Sequence, residues 1–108
     1  MATAYKVLGQ RHPAATSDEA LYTVPSATSA VCSTISICNL GVSTTYRIAV
    51  RPAGATIEDK HYVVYEAAIN QYDTVLLTLG VTLAATDVVT VRAGTADVSF
   101  NLFGSEIT

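Results

Sequence analysis

The sequence predicts an all-β fold, a single antiparallel β-sandwich of seven to eight short strands, on three observations. Apolar residues recur at every second position rather than at helical spacing, as where Tyr46, Ile48 and Val50 alternate with Arg47, Ala49 and Arg51. Such runs are separated by turn residues at spacings of roughly 10–15 residues, among them Pro25, Asn39, Gly41, Pro52, Gly54 and Gly94. Thr and Ser dominate the uncharged polar residues, and they suit pleated strands and turns better than helices. A jelly-roll or immunoglobulin-like sandwich fits this pattern, with a small closed barrel as the second arrangement.

Taken in order, residues 1–16 predict an N-terminal arm or edge strand around Tyr5 to Leu8, followed by a loop at Pro13. Residues 17–108 predict the sandwich, and the 108 residues make one domain. Leu21 to Val24 reads as a strand that Pro25 closes. In residues 30–52, Val31, Ile35 and Ile37 fall on one face, with Ser33 the polar exception. Cys32, Thr34, Ser36 and Cys38 fall on the other. The alternation resumes after Asn39-Leu40-Gly41 and stops at Pro52, so the two runs read as a β-hairpin around which the rest is organised.

Residues 53–59 predict a connection with Gly54 at its sharpest point. Residues 60–67 are apolar on both faces, which predicts a strand buried on both. In residues 73–79, Val75, Leu77 and Leu79 point one way, and residues 80–86 form a connection with some strand character. Val89 and Val91 oppose Val88, Thr90 and Arg92, and Val98, Phe100 and Leu102 face inward. The expected core is Ile35, Ile48, Val50, Val75, Leu77, Val89, Val91 and Phe100.

Composition and motifs bound the function. Net charge is −3 without a basic cluster, which argues against binding nucleic acid by phosphate neutralisation. There is neither an apolar run of about 18 residues nor an h-region with a cleavage site, so neither membrane insertion nor export is expected. His12 and His61 are the only histidines, and no C-x₂₋₄-C or H-x₃₋₅-H spacing exists, so no metal site is expected. Isolated glycines build no phosphate-cradling loop, and no serine sits in a G-x-S-x-G elbow. The expectation is a non-enzyme without cofactors. Cys32 and Cys38 lie about 20 Å apart along one strand, too far to bridge, so both are expected as free thiols.

Charged residues are 14% of the chain, against roughly 25% in an average soluble protein. So few charges predict a surface partly covered by partners. The candidate partner interface is Arg47 and Arg51, which share a strand face, together with Cys32, Thr34 and Ser36. Thr74, Leu76 and Thr78, and then Val88 and Thr90, extend the uncharged outward surface. Six tyrosines offer an alternative, a sugar-binding face.

The stretches LYTVPSATSAVCSTISICN, YRIAVRPAGA, KHYVVYEA, TLGVTLAATDVVTVRA and SFNLFGSEI resemble small virion structural proteins of tailed bacteriophages, notably those infecting cyanobacteria. The resemblance spans Tyr5 to Ile107, rests on strand and turn sequences, and transfers no functional residue. It implies a virion component made in the host cytoplasm. A capsid decoration (cement) protein is the first expectation, a homo-oligomer, expected as a trimer, on the major capsid protein or another virion protein. The alternative is a neck, tail or fibre accessory that binds a host-surface glycan or another virion protein.

Overall fold

The structure is a computed structural model and describes residues 2–108. Eight strands form: β1 (Thr3–Arg11), β2 (Glu19–Thr23), β3 (Ser29–Asn39), β4 (Thr44–Arg51), β5 (Tyr62–Ile69), β6 (Thr74–Leu83), β7 (Val88–Ala93) and β8 (Val98–Ile107). They pair antiparallel into two four-stranded sheets, ordered β1-β8-β3-β6 (sheet A) and β2-β7-β4-β5 (sheet B). The winding is a nested fold-back: β4 pairs with β5, β3 with β6, β2 with β7 and β1 with β8, alternate pairs falling in opposite sheets. Of the expected arrangements this is the jelly roll.

The organising hairpin of residues 30–52 does not form. β3 lies in sheet A and β4 in sheet B, and residues 40–43 arch from one sheet to the other. Period-2 alternation fixes which face a strand turns to the core but not which strand lies beside it. The buried Asn39 sets the arch. Its amide donates to the Val42 carbonyl (2.8 Å) and to the Asn70 carbonyl (3.0 Å), and its side-chain oxygen accepts the Gly41 N–H (3.0 Å). One side chain thus ties the β3–β4 arch to the β5–β6 turn.

The core between the sheets takes Ile35, Ile48, Val89, Val91 and Phe100 fully, while Val50, Val75 and Leu77 lie at its margin. Val98, Phe100 and Leu102 face inward as expected, and Tyr46 packs edge-on against Phe100 with centroids 6.4 Å apart. β6 runs on through Gly80, whose φ of 62° takes up a bulge, so much of the expected connection at 80–86 is strand. The expectation that residues 60–67 are buried on both faces is overturned. β5 is an edge strand, and Val63 and Tyr65 are exposed, because no element packs outside sheet B there.

β1 is the opposite edge of sheet A rather than a loose arm, paired with β8 from Thr3↔Ile107 to Arg11↔Phe100. Ala2 and Thr108 extend the ladder by exchanging backbone hydrogen bonds, both 2.9 Å. At the β1–β2 corner the sheets come close. A Cβ on Gly9 would stand 2.2 Å from the Leu21 carbonyl oxygen, so only glycine permits the approach.

Candidate interaction face

Directly paired residues of neighbouring strands share a face, so the ladders define what sheet A shows to the outside. Ser36 stands between Leu76 on β6 and Asn101 on β8, with Gln10 beyond on β1. Thr34 stands between Thr78 and Phe103, with Val7 beyond. Val31 stands between Thr82 and Ser105, with Tyr5 beyond. Cys38 stands between Thr74 and Ser99. Among the described residues no paired position on this outer face is Asp, Glu, Lys or Arg. Its largest exposed apolar groups are Tyr5, Val7, Leu76 and Phe103. Four strands of about ten residues make it roughly 30 Å long and 15 Å wide between outer backbones.

Of the residues read as a partner interface, Thr34 and Ser36 lie at the centre of this face. Cys32 does not. It is 0% exposed and points into the core. The register shifts between Cys32 and Thr34 against both neighbouring strands: Ser33 is the extra residue against β8, and Leu79 and Gly80 together oppose it on β6. The bulge reverses the alternation, so Ala30 and Cys32 before it and Ile35 and Ile37 after it all turn inward. Burial pushes the Cys32 thiol up to about 11. Both cysteines are free thiols, as expected, with Cys38 half-buried.

Arg47 and Arg51 lie on the far side of the molecule, on the outer face of sheet B, and both are engaged within the chain. The register of β5 against β4 jumps between Tyr46↔Ala67 and Ile48↔Val64, so Tyr65 and Glu66 together oppose Arg47. Glu66 takes the left-handed conformation (φ 53°) that this bulge requires. Arg47 stacks on Tyr65, 4.4 Å from the ring centroid, and its Nε donates to Glu66 (2.8 Å). The Thr45 hydroxyl, foremost, and Arg47 hold the Glu66 carboxyl below the usual carboxylate range. Arg51 donates from Nε to Thr90 Oγ1 (2.9 Å) and from its guanidinium to the Ala55 carbonyl (3.0 Å). It thereby pins the short 3₁₀ turn Pro52–Gly54 over β7.

That turn also corrects the reading of Val88 and Thr90 as outward surface. Both are buried, Gly54 lies against Val88, and Arg51 covers Thr90. Arg92 faces Asp18 at 3.7 Å, so the charged residues collect on sheet B while sheet A's outer face has none. Phe103 on β8 and Val7 on β1 are members of this face that sequence reasoning missed; for Phe103 the inward Val98, Phe100 and Leu102 carry the signal, since the next residue must point outward. What the sequence could not show was that these two strands flank Thr34 and Ser36.

His61 is buried, and its Nδ1 accepts the Glu58 backbone N–H (3.0 Å) at the 3₁₀ turn Asp59–His61, while His12 is exposed. Among the described residues no three His, Cys, Asp or Glu side chains gather as a metal cluster, and no helix is long and apolar enough to cross a membrane. One aromatic hollow opens on β5, where Tyr62 and Tyr65 meet edge-on at 4.9 Å beside Asp59.

No family model, curated protein or solved structure matches this chain. Function therefore rests on the two faces and the winding.

Proposed function

We propose that this chain is a non-enzymatic virion structural protein, a capsid decoration subunit that stabilises a phage shell by protein–protein contact. The uncharged outer face of sheet A is the observation that carries the reading. A solvated sheet face ordinarily shows Lys and Glu, whereas threonine, serine, Phe103 and Leu76 transfer into an interface with few ions to desolvate. Binding that selects the folded, assembled shell stabilises it by mass action. The winding supports the same reading by analogy, since eight-stranded jelly rolls build viral shells as well as lectin domains. The composition is consistent with it, and so is the virion resemblance of the strand sequences.

Mass spectrometry of purified phage particles carrying this gene tests the proposal. Copy numbers near that of the major shell protein support decoration. A handful of copies favours a neck, tail or fibre position, and absence from the particle overturns the reading.

The second reading, a glycan-binding accessory, is favoured by the β5 hollow. There Tyr65 is 58% exposed and held in place by Arg47, and Asp59 offers a carboxylate beside it. An exposed aromatic ring next to a carboxylate suits a sugar's apolar face and its hydroxyls. NMR titration with host-surface saccharides decides this reading: shifts confined to Tyr62, Tyr65 and Asp59, lost in Tyr65→Ala, support it, and unchanged spectra reject it.

A further inference from the structure

A sandwich of two four-stranded sheets has four edge strands, and an edge left flat and uncharged invites another chain to pair with it. Three of the edges here are guarded. β2 is five residues long, stops before Pro25, and carries Glu19, which holds Arg11 and the Ala14 N–H, both at 2.8 Å. β5 is broken by the Glu66 bulge. β1 carries Lys6 and Arg11 and is bulged at Leu8. β6 differs. It is ten residues long, and no charge occurs from Thr74 through Thr86. Its residues Thr74 to Thr78 pair without interruption with Cys38 to Thr34 of β3. Among the described residues no strand pairs with its other side.

We propose that β6 pairs antiparallel with β6 of a second copy across a two-fold axis, which joins two copies of sheet A into one eight-stranded sheet. This deepens the reading of the uncharged face and rests on it only for the role of the enlarged surface. The flat run is self-complementary about Leu76. With the axis there, Leu76 meets its own copy and Thr74 meets Thr78 on the outer face, while Val75 meets Leu77 on the inner. Threonine pairs and aliphatic pairs are favourable cross-strand partners, and no like charges meet at the axis. Leu76, 67% exposed in the single chain, gains cover.

The overlapping run Thr74–Thr78 is roughly 17 Å long, and with the molecule's 19 Å shortest dimension as depth it makes about 650 Å² over both copies, the size of a weak, transient contact. Association is therefore reversible and concentration-dependent rather than permanent. An isologous pair gives a dimer or a higher even-numbered assembly, in place of the trimer expected from sequence.

Sedimentation velocity over roughly 1–300 μM, which brackets micromolar dissociation constants, reads this directly. The expected result is a monomer–dimer equilibrium that Leu76→Lys abolishes, because two ammonium groups then meet at the axis. Tyr5→Lys, on the same face but at the far edge, leaves the dimer intact, which separates edge pairing from stacking of whole faces. Circular dichroism checks that both variants fold. In a Cys38→Ser background, Leu76→Cys is expected to oxidise to a covalent dimer, since paired Cα atoms lie about 5 Å apart. A strict monomer, an odd-numbered assembly, or a dimer indifferent to Leu76→Lys overturns the pairing. Particle binding is read separately, so a particle-bound monomer sinks the β6 pairing alone, and a dimer absent from particles sinks the virion reading alone.

Discussion

Asn39 ties two connections together from one buried side chain. Its amide serves carbonyls on two connections, and those carbonyls are left without a partner if the side chain is cut back. Asn39→Ala is expected to cost about 1–3 kcal/mol in urea denaturation. The exposed neighbour Leu40→Ala is expected to stay within about 0.5 kcal/mol. The two thiols differ just as sharply. In the native protein a thiol reagent is expected to label Cys38 alone, with Cys32 reacting only on unfolding, because the thiolate is the reactive form and burial opposes it. Rapid labelling of both would mean that Ser33 is not a bulge. At the open end of the sandwich, Lys6 foremost and then the Tyr22 hydroxyl hold the Glu106 carboxyl below its usual range. A lowered folded pKa contributes stability above the ordinary carboxylate value, and the contribution disappears as pH falls through the folded value. Melting temperature is expected to fall on acidification below about pH 4.5, and Glu106→Gln is expected to flatten part of that slope.

Strand alternation made most of the elements legible, because a strand that covers a core from one side must alternate. Val98, Phe100 and Leu102 on β8 were placed correctly for this reason. The same logic failed wherever one residue broke the period. Ser33 looked like a polar exception within a regular strand, yet it is the extra residue that turns Cys32 inward. Pairing was the second loss. Asn39-Leu40-Gly41 has the composition of a hairpin turn, but the arch it makes depends on Asn70, thirty-one residues away. The separation of Arg47 from Thr34 followed from that, since it depends on which sheet each strand joins. At the β1–β2 corner, Gly9→Ala is expected to destabilise by about 1–3 kcal/mol, because the added methyl meets a backbone carbonyl that no rotamer change can move. Equal unfolding midpoints for the variant and the parent would mean that the corner is looser than described.

The whole molecule is two-faced, with ion pairs on sheet B and none on sheet A's outer side, and that asymmetry has a measurable consequence. Contacts between charged groups weaken as the Debye length shrinks from about 10 Å at 0.1 M salt to about 3 Å at 1 M. Contacts through threonine and aliphatic groups do not weaken in this way. Attachment to particles is expected to survive 1 M sodium chloride in a co-sedimentation assay. Release by salt would move the contact to Arg47, Arg51 and Arg92. Thr34→Lys, at the centre of the uncharged face, is expected to abolish attachment without unfolding the domain, whereas Arg47→Glu is expected to leave attachment unchanged.

The nested winding also sets a timetable for synthesis. Of the eight strands β1 leaves the ribosome before the others and β8 after them, so β1 waits longest for its partner. At about 5–20 residues per second the nascent chain carries an unpaired β1 for several seconds or more. β8 then completes β1 and β3 together. A product that ends before Val98 leaves β1 unpaired and β3 paired with β6 alone, and it strips Phe100 from the core. Truncated chains therefore hold only the β3–β6 half of sheet A over an uncovered core, and limited proteolysis is expected to cleave them faster than the full chain.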